Sequence, residues 1–186
     1  MSTERNLLYI VGYPGSGKTT ATALALGDNI VSVEQKPFAH TVYEIEKTNV
    51  VELGLRREPF GGTDCLALSV QPKVIQWLSE DAPDKLYDCS LVVGEGDRLG
   101  NTKFFTTAVD MGWRLILVYL KVPELMARRR AWERGSRFDE PWLKGRITKV
   151  NNLTQEYSSR LVVLDGSGPK VDVALKLQEV ISNAGI

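Results

Sequence analysis

The sequence contains few of the residues that build metal centres and disulfide frameworks. Its 186 residues include one histidine, His40, and two cysteines, Cys65 and Cys89, which do not form a CxxC pair. This scarcity argues against a histidine–cysteine zinc site and against a disulfide-stapled fold. Both cysteines are therefore expected to be reduced thiols of an intracellular protein.

Net charge and long apolar runs are missing as well. The 23 basic and 23 acidic side chains cancel, so bulk charge predicts no nucleic-acid or membrane partner, although a local patch would still be able to bind one. The first apolar run, Leu7–Val11, is too short for a signal peptide or a membrane span. We expect a cytoplasmic protein.

What the sequence does contain is an alternation of short apolar runs with stretches of helical spacing. Continuous apolar runs predict strands at Leu7–Val11, Leu91–Val93, Leu115–Leu120 and Leu161–Leu164, with weaker strands at Asn29–Val33 and Val50–Leu53. Helical spacing predicts helices at Lys18–Leu26, Gln71–Ser79, Thr102–Met111, Pro123–Arg134 and Val171–Ser182. This alternation favours right-handed crossovers in a three-layer α/β fold with a mostly parallel sheet. No repeat or long linker interrupts the chain, so residues 1–186 are expected to form one domain.

A glycine-rich segment lies directly between the first predicted strand and the first predicted helix. It reads Gly12-Tyr13-Pro14-Gly15-Ser16-Gly17-Lys18-Thr19 and matches G-x-x-x-x-G-K-[ST] at each fixed position. Its glycines let successive backbone N–H groups converge on an anion, and the helix adds the positive end of its dipole. This pattern predicts ATP and Mg²⁺ binding, with Lys18 at the β- and γ-phosphates and Thr19 at the metal. The residues expected to contact the nucleotide are Gly12, Pro14, Gly15, Ser16, Gly17, Lys18, Thr19 and Thr20.

Charged residues follow the predicted strand Leu91–Val93, where the carboxyl end of a parallel strand faces the ligand crevice. Glu95 is a candidate for orienting Mg²⁺ or its water shell, and either Glu95 or Asp97 is a candidate base for the acceptor hydroxyl. Arg98 is expected to hold an acceptor group or a transferring oxygen. Asp64, which follows a Gly-Gly bend, either contacts the acceptor or caps a following helix.

A basic segment predicts a lid over the ATP, in approximately residues 123–150. Between Lys121 and Lys149 nine basic residues face four acidic ones in an otherwise neutral chain. Arg130 and Arg134 lie one helical turn apart, so both are candidates for stabilising the transferring phosphate. The alternative is a solvated helix with surface ion pairs.

The segment Asp165-Gly166-Ser167-Gly168-Pro169 follows the last predicted strand. It is suited either to a loop against which the base of the nucleotide lies or to a plain turn between a strand and a helix.

Two of these segments resemble the nucleoside and nucleotide kinases of the P-loop superfamily, in particular the thymidylate-kinase-like enzymes. The glycine loop follows their G-x-x-G-x-G-K-[ST] pattern, and Glu95-Gly96-Asp97-Arg98 is similar to their D-R or E-G-x-x-R segment. The resemblance implies a P-loop NTPase fold with a small basic lid, and a kinase that moves the γ-phosphate of ATP to a nucleotide-type acceptor. A GTPase would be expected to carry N-K-x-D, which the sequence lacks.

Further strings resemble phage P-loop kinases of DNA hypermodification, which phosphorylate the 5-hydroxymethyl group of hydroxymethyluracil in DNA. The strings are Val51–Gly54 with Arg57 and Phe60, Gly62-Thr63-Asp64, Glu95–Arg98 and Trp142–Leu153. The resemblance implies a short contact with modified DNA in a host cytoplasm. The residues available for it are Lys144, Arg146 and Lys149 for the backbone and Trp132 or Trp142 for stacking.

Two other functions remain open at this level. One is a kinase of free nucleosides or nucleoside monophosphates, in which Arg56 or Arg57 would hold the acceptor phosphate. The other belongs to a different class, an ATP-binding switch module with slow hydrolysis. Its expected switch segment with a water-positioning glutamine is not recognisable in the sequence.

Overall fold

Seven strands form the central sheet in the computed structural model of the chain, which describes residues 4–56, 61–137 and 139–185. They are β1 (Asn6–Val11), β2 (Ile30–Glu34), β3 (His40–Ile45), β4 (Thr48–Leu53), β5 (Leu91–Glu95), β6 (Arg114–Lys121) and β7 (Leu161–Asp165). Their order across the sheet is β2-β3-β4-β5-β1-β6-β7. The strands β4, β5, β1, β6 and β7 run parallel, whereas β3 is antiparallel to both of its neighbours. The predicted mostly parallel sheet is confirmed.

The strand β3 is absent from the sequence prediction. Its residues mix polar and apolar types, and its polar residues His40 and Thr41 are buried. A two-residue turn, Glu46-Lys47, joins β3 to β4 with positive φ at both positions, although neither residue is glycine. The hairpin therefore lacks the composition that normally predicts one.

The helices cover both faces of the sheet. They are α1 (Lys18–Leu26), α2 (Gln71–Ser79), α3 (Ala82–Tyr87), α4 (Thr102–Asp110), α5 (Glu124–Glu133), α6 (Glu140–Glu156) and α7 (Lys170–Gly185). Successive side chains of β1 point to opposite faces: Leu7 packs with α2 and α4, and Leu8 packs with α1 and α7. This arrangement confirms the three-layer fold. Among the described residues, none of the helices is both long enough and apolar enough to cross a membrane.

The helix α6 lies in the predicted lid region and was not predicted as a separate element. Asp139 caps it by accepting a hydrogen bond from the backbone N–H of Trp142 at 2.7 Å, and Pro141 occupies its first turn. Most residues of this helix are polar, and it contains Gly145, which disfavours a helix. The apolar periodicity is therefore too weak to indicate a helix.

The carboxyl ends of the parallel strands meet at one edge of the sheet. The glycine loop follows β1, the acidic segment follows β5, α5 follows β6 and the Gly166–Gly168 loop follows β7. Ligands of open α/β sheets bind outside this edge. The fold therefore brings the predicted functional segments together.

Candidate active site

The glycine loop connects β1 to α1 in a conformation that needs glycine at two points. Gly15 and Gly17 have φ of 88° and 93°, which side chains rarely adopt. A Cβ atom on Gly15 would also lie 2.1 Å from the carbonyl oxygen of Ala127, so α5 packs directly on the loop. Lys18 Nζ donates to the carbonyl oxygen of Gly12 at 2.9 Å, which folds the ammonium group over the loop.

A cavity of about 610 Å³ opens beside this loop. Its lining brings together Gly17 and Thr20 of the glycine loop and α1, Arg130 and Arg134 of the lid region, and Gly166 and Gly168 of the loop after β7. The size is within the range of small-molecule sites. Two segments predicted to contact the nucleotide, and the loop for which a base contact was one of two alternatives, thus line one cavity.

Arg130 connects two walls of the cavity. Its guanidinium group donates to the carbonyl oxygens of Gly166 at 2.9 Å and Ser167 at 3.4 Å. Arg134 also lines the cavity and is exposed at its rim. Both predicted lid arginines therefore face the cavity, and Arg130 in addition holds the loop after β7 against α5.

The neighbouring arginines of α5 belong to the surface. Arg128 pairs with Glu124 and Glu140, and Arg129 pairs with Glu133. These contacts match the solvated-helix alternative for this part of the basic segment. The pair with Glu140 also joins α5 to α6.

Glu95 ends β5 next to the glycine loop. It is 1% exposed, and its Oε1 atom has no hydrogen-bond partner among the described residues. Burial raises its pKa to about 7, against the opposing effects of Lys18 and the Thr19 hydroxyl. A Cβ on Gly62 would lie 2.3 Å from Oε1, so glycine at position 62 leaves room for the carboxylate.

Asp64 supports the loop that follows Glu95. Its Oδ1 atom accepts hydrogen bonds from the backbone N–H groups of Asp97 at 2.7 Å and Arg98 at 3.1 Å. It thus caps the β5 loop rather than the following helix, contrary to the capping alternative drawn from the sequence. A contact between Asp64 and an acceptor stays a prediction.

Asp97 faces cations of α6. Its carboxylate lies 3.4 Å from Arg146 Nε and 3.5 Å from Lys149 Nζ, and its carbonyl oxygen accepts from Lys149 at 3.0 Å. Arg98 on the same loop has a buried Nε atom without a partner among the described residues. The roles predicted for Asp97 as a base and for Arg98 as a clamp stay predictions.

Of the two arginines predicted to hold an acceptor phosphate, only Arg56 lies among the described residues. Arg56 donates to Asp28 and to the carbonyl oxygens of Ala23 and Gly27 at the end of α1. Its guanidinium group is thus engaged with the scaffold. Arg57, and Phe60 of the resembling strings, lie outside the described residues.

A buried tyrosine beneath the site was not predicted from the sequence. Tyr9 is fully buried in β1, and its hydroxyl lies 3.0 Å from the Thr63 hydroxyl and donates to the carbonyl oxygen of Gly96 at 3.0 Å. Thr63 in turn donates to the carbonyl oxygen of Glu95 at 2.7 Å. Tyr9 lies in the predicted strand Leu7–Val11. Its phenol group, among aliphatic neighbours, is the one feature of the sequence that indicates a polar role.

A second buried carboxylate lies one strand away from Glu95. Glu52 on β4 is 3% exposed and accepts a hydrogen bond from the Tyr43 hydroxyl at 2.8 Å. Burial raises its pKa as well. Glu52 lies in a predicted strand, but a glutamate side chain is normally exposed. Its burial was therefore not evident from the sequence.

The oxygen atoms around the glycine loop fit Mg²⁺. The described residues hold no group of three or more histidine, cysteine, aspartate or glutamate side chains suited to a metal. Mg²⁺ in nucleotide sites instead takes one or two protein oxygens together with phosphates and waters. The Thr19 hydroxyl and the unpartnered oxygen of buried Glu95 supply that donor set.

Comparison with known proteins places this arrangement in a family. The family model described as P-loop Nucleotide Kinase3 matches residues 3–179. No match was found among curated proteins. In fold, the chain is similar to a sugar kinase from Janibacter sp. HTCC2649, with 14% identity, a TM-score of 0.53, and coverage of 97% of this chain and 95% of that one.

A deoxyadenosine kinase from M. mycoides matches with 12% identity and a TM-score of 0.49, over 95% of this chain and 99% of that one. Since the family model covers most of the chain, the protein belongs to the P-loop Nucleotide Kinase3 family and is a P-loop kinase.

Proposed function

We propose that the protein transfers the γ-phosphate of ATP, bound with Mg²⁺, to a hydroxyl group of a nucleotide-type acceptor. One observation carries this proposal: the glycine loop lies between an open cavity and the buried carboxylate of Glu95, whose Oε1 atom has no hydrogen-bond partner among the described residues. The base and sugar of ATP fit the cavity side, and the terminal phosphate then lies toward Glu95. The acceptor approaches from the side of the β5 loop.

The nucleotide side follows from the contacts of the cavity. Backbone N–H groups of the glycine loop and Lys18 hold the phosphates, while Arg134 neutralises charge that spreads over the transferring group. Arg130 keeps the Gly166–Gly168 loop in place, against which the base lies. When bound, Mg²⁺ neutralises developing charge on the β- and γ-phosphate oxygens.

Glu95 is our candidate for the acid that serves the reacting centre. Its unpartnered oxygen would either hold the metal together with Thr19 or accept the proton of the acceptor hydroxyl. In contrast, Asp64 is bound to backbone N–H groups and Asp97 to cations, so each has a competing partner.

For the acceptor we propose the hydroxymethyl group of hydroxymethyluracil in DNA. The resemblance to the phage kinases supports this choice, and so does the position of the described parts of the resembling strings at the carboxyl edge of the sheet and on α6. Trp132 and Trp142 are 64% and 38% exposed rather than buried in the core, and arginine guanidinium groups lie 3.9 Å and 5.1 Å from their ring centres, so each indole is presented together with a cation.

The experiment compares acceptors that carry the same hydroxymethyl group with a DNA that lacks it. Purified protein is incubated with labelled ATP, Mg²⁺ and one of four compounds: DNA containing hydroxymethyluracil, matched thymine DNA, free hydroxymethyldeoxyuridine, and its monophosphate. We expect label only in the hydroxymethylated DNA. Label only in the free compounds would replace the DNA acceptor by a nucleoside or nucleotide, and nucleotide binding without any transfer would favour a switch module.

Lys18→Ala provides the control for chemistry at the glycine loop. Losing its contact with the phosphates is expected to lower the transfer rate by at least about 100-fold, since transition-state charge then lacks a cation. The far-ultraviolet circular dichroism spectrum should remain that of the unsubstituted protein. Transfer at an unchanged rate would contradict the assignment.

A further inference from the structure

One face of α6 forms a path from the surface to the glycine loop. Trp142, Arg146 and Lys149 follow the spacing i, i+4 and i+7, which places them on the same side of the helix. Lys149 lines a narrow space shared with Lys18, while Trp142 is partly exposed at the other end. At 1.5 Å per residue the path is about 10 Å long.

Between its terminal residues Glu140 and Glu156, α6 carries only positive charge. From Pro141 to Gln155 the sequence contains three cations and no acidic residue, although the whole chain is neutral. The guanidinium group of Arg146 lies 5.1 Å from the centre of the Trp142 ring, so a cation and an aromatic ring are presented together. This combination suits an anion that carries stackable rings.

Gly145 lies on the same side of the helix and has no structural requirement for being glycine. It is exposed in a helical backbone, and a Cβ there would meet no atom of the described residues within 4 Å. Glycine inside a helix costs about 1 kcal/mol relative to alanine. Glycine at this position permits close approach of a ligand to the helix backbone.

The two inner cations lie at long distances from the carboxylate of Asp97, although Lys149 also donates to the Asp97 carbonyl oxygen at 3.0 Å. Arg146 and Lys149 lie 3.4 Å and 3.5 Å from the carboxylate oxygens of Asp97, longer than the 2.7–2.9 Å of a direct charge-assisted hydrogen bond. Their side chains are 34% and 26% exposed. Burial lowers the pKa of Lys149, and the Asp97 carboxylate opposes this shift. A phosphate group is able to replace this carboxylate.

We infer that this face, made of Trp142, Gly145, Arg146 and Lys149, binds the sugar–phosphate backbone of a single DNA strand beside the acceptor base. Asp97 occupies the phosphate position until the strand arrives. The inference rests on the proposed transfer to DNA and adds the location of the strand. A strand is favoured over a free nucleotide because the face presents two cations and an aromatic ring in a row along the helix.

Binding of a labelled single strand of about twelve thymidines, followed by fluorescence anisotropy without ATP, tests the cations. We expect Arg146→Ala and Lys149→Ala each to weaken binding about ten-fold. Each should also reduce the slope of log K against log salt by about 0.7, the value for one phosphate contact on a single strand. Lys176→Ala removes an equal charge from an exposed position of α7, on the other face of the sheet, and should leave binding within two-fold.

Two further variants separate a binding role from a structural one. Gly145→Ala should raise the melting temperature, because alanine favours the helix, and yet weaken strand binding. Asp97→Asn should tighten strand binding about two- to five-fold, because the competing carboxylate is gone. A purely structural role would not move stability and binding in opposite directions.

The inference is overturned if Gly145→Ala binds the strand like the unsubstituted protein, or if the two cation variants keep the original salt slope. Failure of this inference can be distinguished from failure of the proposed function. Transfer to free hydroxymethyldeoxyuridine without strand binding would contradict a strand-binding role of α6 and leave the kinase assignment intact. Binding that depends on α6 without phosphorylation of hydroxymethylated DNA would retain the path and remove the proposed acceptor.

Discussion

At the scale of single residues, the site depends on groups that are buried without full compensation. Glu95 lies between Lys18 and Gly62 with one carboxylate oxygen unpartnered among the described residues. Burying such a group is unfavourable for folding. Its presence therefore commonly marks a functional site. Stability and activity should therefore respond in opposite directions to its removal.

Glu95→Gln tests this opposition through pH. The pKa of Glu95 is raised from 4.5 to about 7, so the folded state binds more protons than the unfolded state between these values. The free energy of unfolding thus falls as pH rises from about 4.5 to 7. At pH 8 we expect Glu95→Gln to raise the free energy of unfolding by at most about 3 kcal/mol. The same substitution is expected to abolish transfer. Urea unfolding at pH 5 and pH 8 measures the effect, and an equal change at both values would contradict it.

Tyr9→Phe tests the network beneath the site. The substitution leaves the Gly96 carbonyl without its Tyr9 donor and removes the contact with the Thr63 hydroxyl, which keeps its bond to the Glu95 carbonyl; it should cost about 1–2 kcal/mol of unfolding free energy. Because the network positions the backbone around Glu95, we also expect kcat to fall. Tyr157→Phe is the matched control, since its hydroxyl contacts Thr106 away from the site. It should lower stability and leave kcat unchanged.

At the scale of elements, α5 is the component that completes the nucleotide cavity. It packs on Gly15 through its backbone and holds the loop after β7 through Arg130. The basic segment is thus divided by geometry, with Arg130 and Arg134 at the cavity and Arg128 and Arg129 at the surface. A helix has several sides, and sequence spacing alone does not say which side faces the ligand.

Arg130→Ala is expected to act on the nucleotide and not on the acceptor. Without its contacts to the loop after β7, that loop loses its fixed position, and the KM for ATP should rise about ten-fold. The KM for the acceptor should stay the same. Arg129→Ala, which removes a surface arginine from the same helix, should change neither constant. Equal effects of the two variants would contradict the division of the segment.

At the scale of the whole molecule, nucleotide binding should be coupled to stability. The glycine loop, α5 and the loop after β7 come from distant parts of the chain and meet only in the folded state. A ligand of the folded state stabilises it by about 2.7 kcal/mol at 100 times its Kd. We expect ATP with Mg²⁺ to raise the melting temperature, and Lys18→Ala to remove most of the shift. A shift of the same size in both proteins would show that binding occurs elsewhere.

Local patterns determined the glycine loop, the parallel strands and the helices around them. The G-x-x-x-x-G-K-[ST] spacing and continuous apolar runs are short-range signals, because a tight turn and a strand buried on both faces restrict residue types directly. Only the tertiary structure decided the surroundings of the acids: the burial of Glu95, the contacts of Asp64 with the β5 loop, and those of Asp97 with α6. These partners lie tens of residues apart, and which of them meet depends on strand order and helix packing rather than on neighbouring sequence.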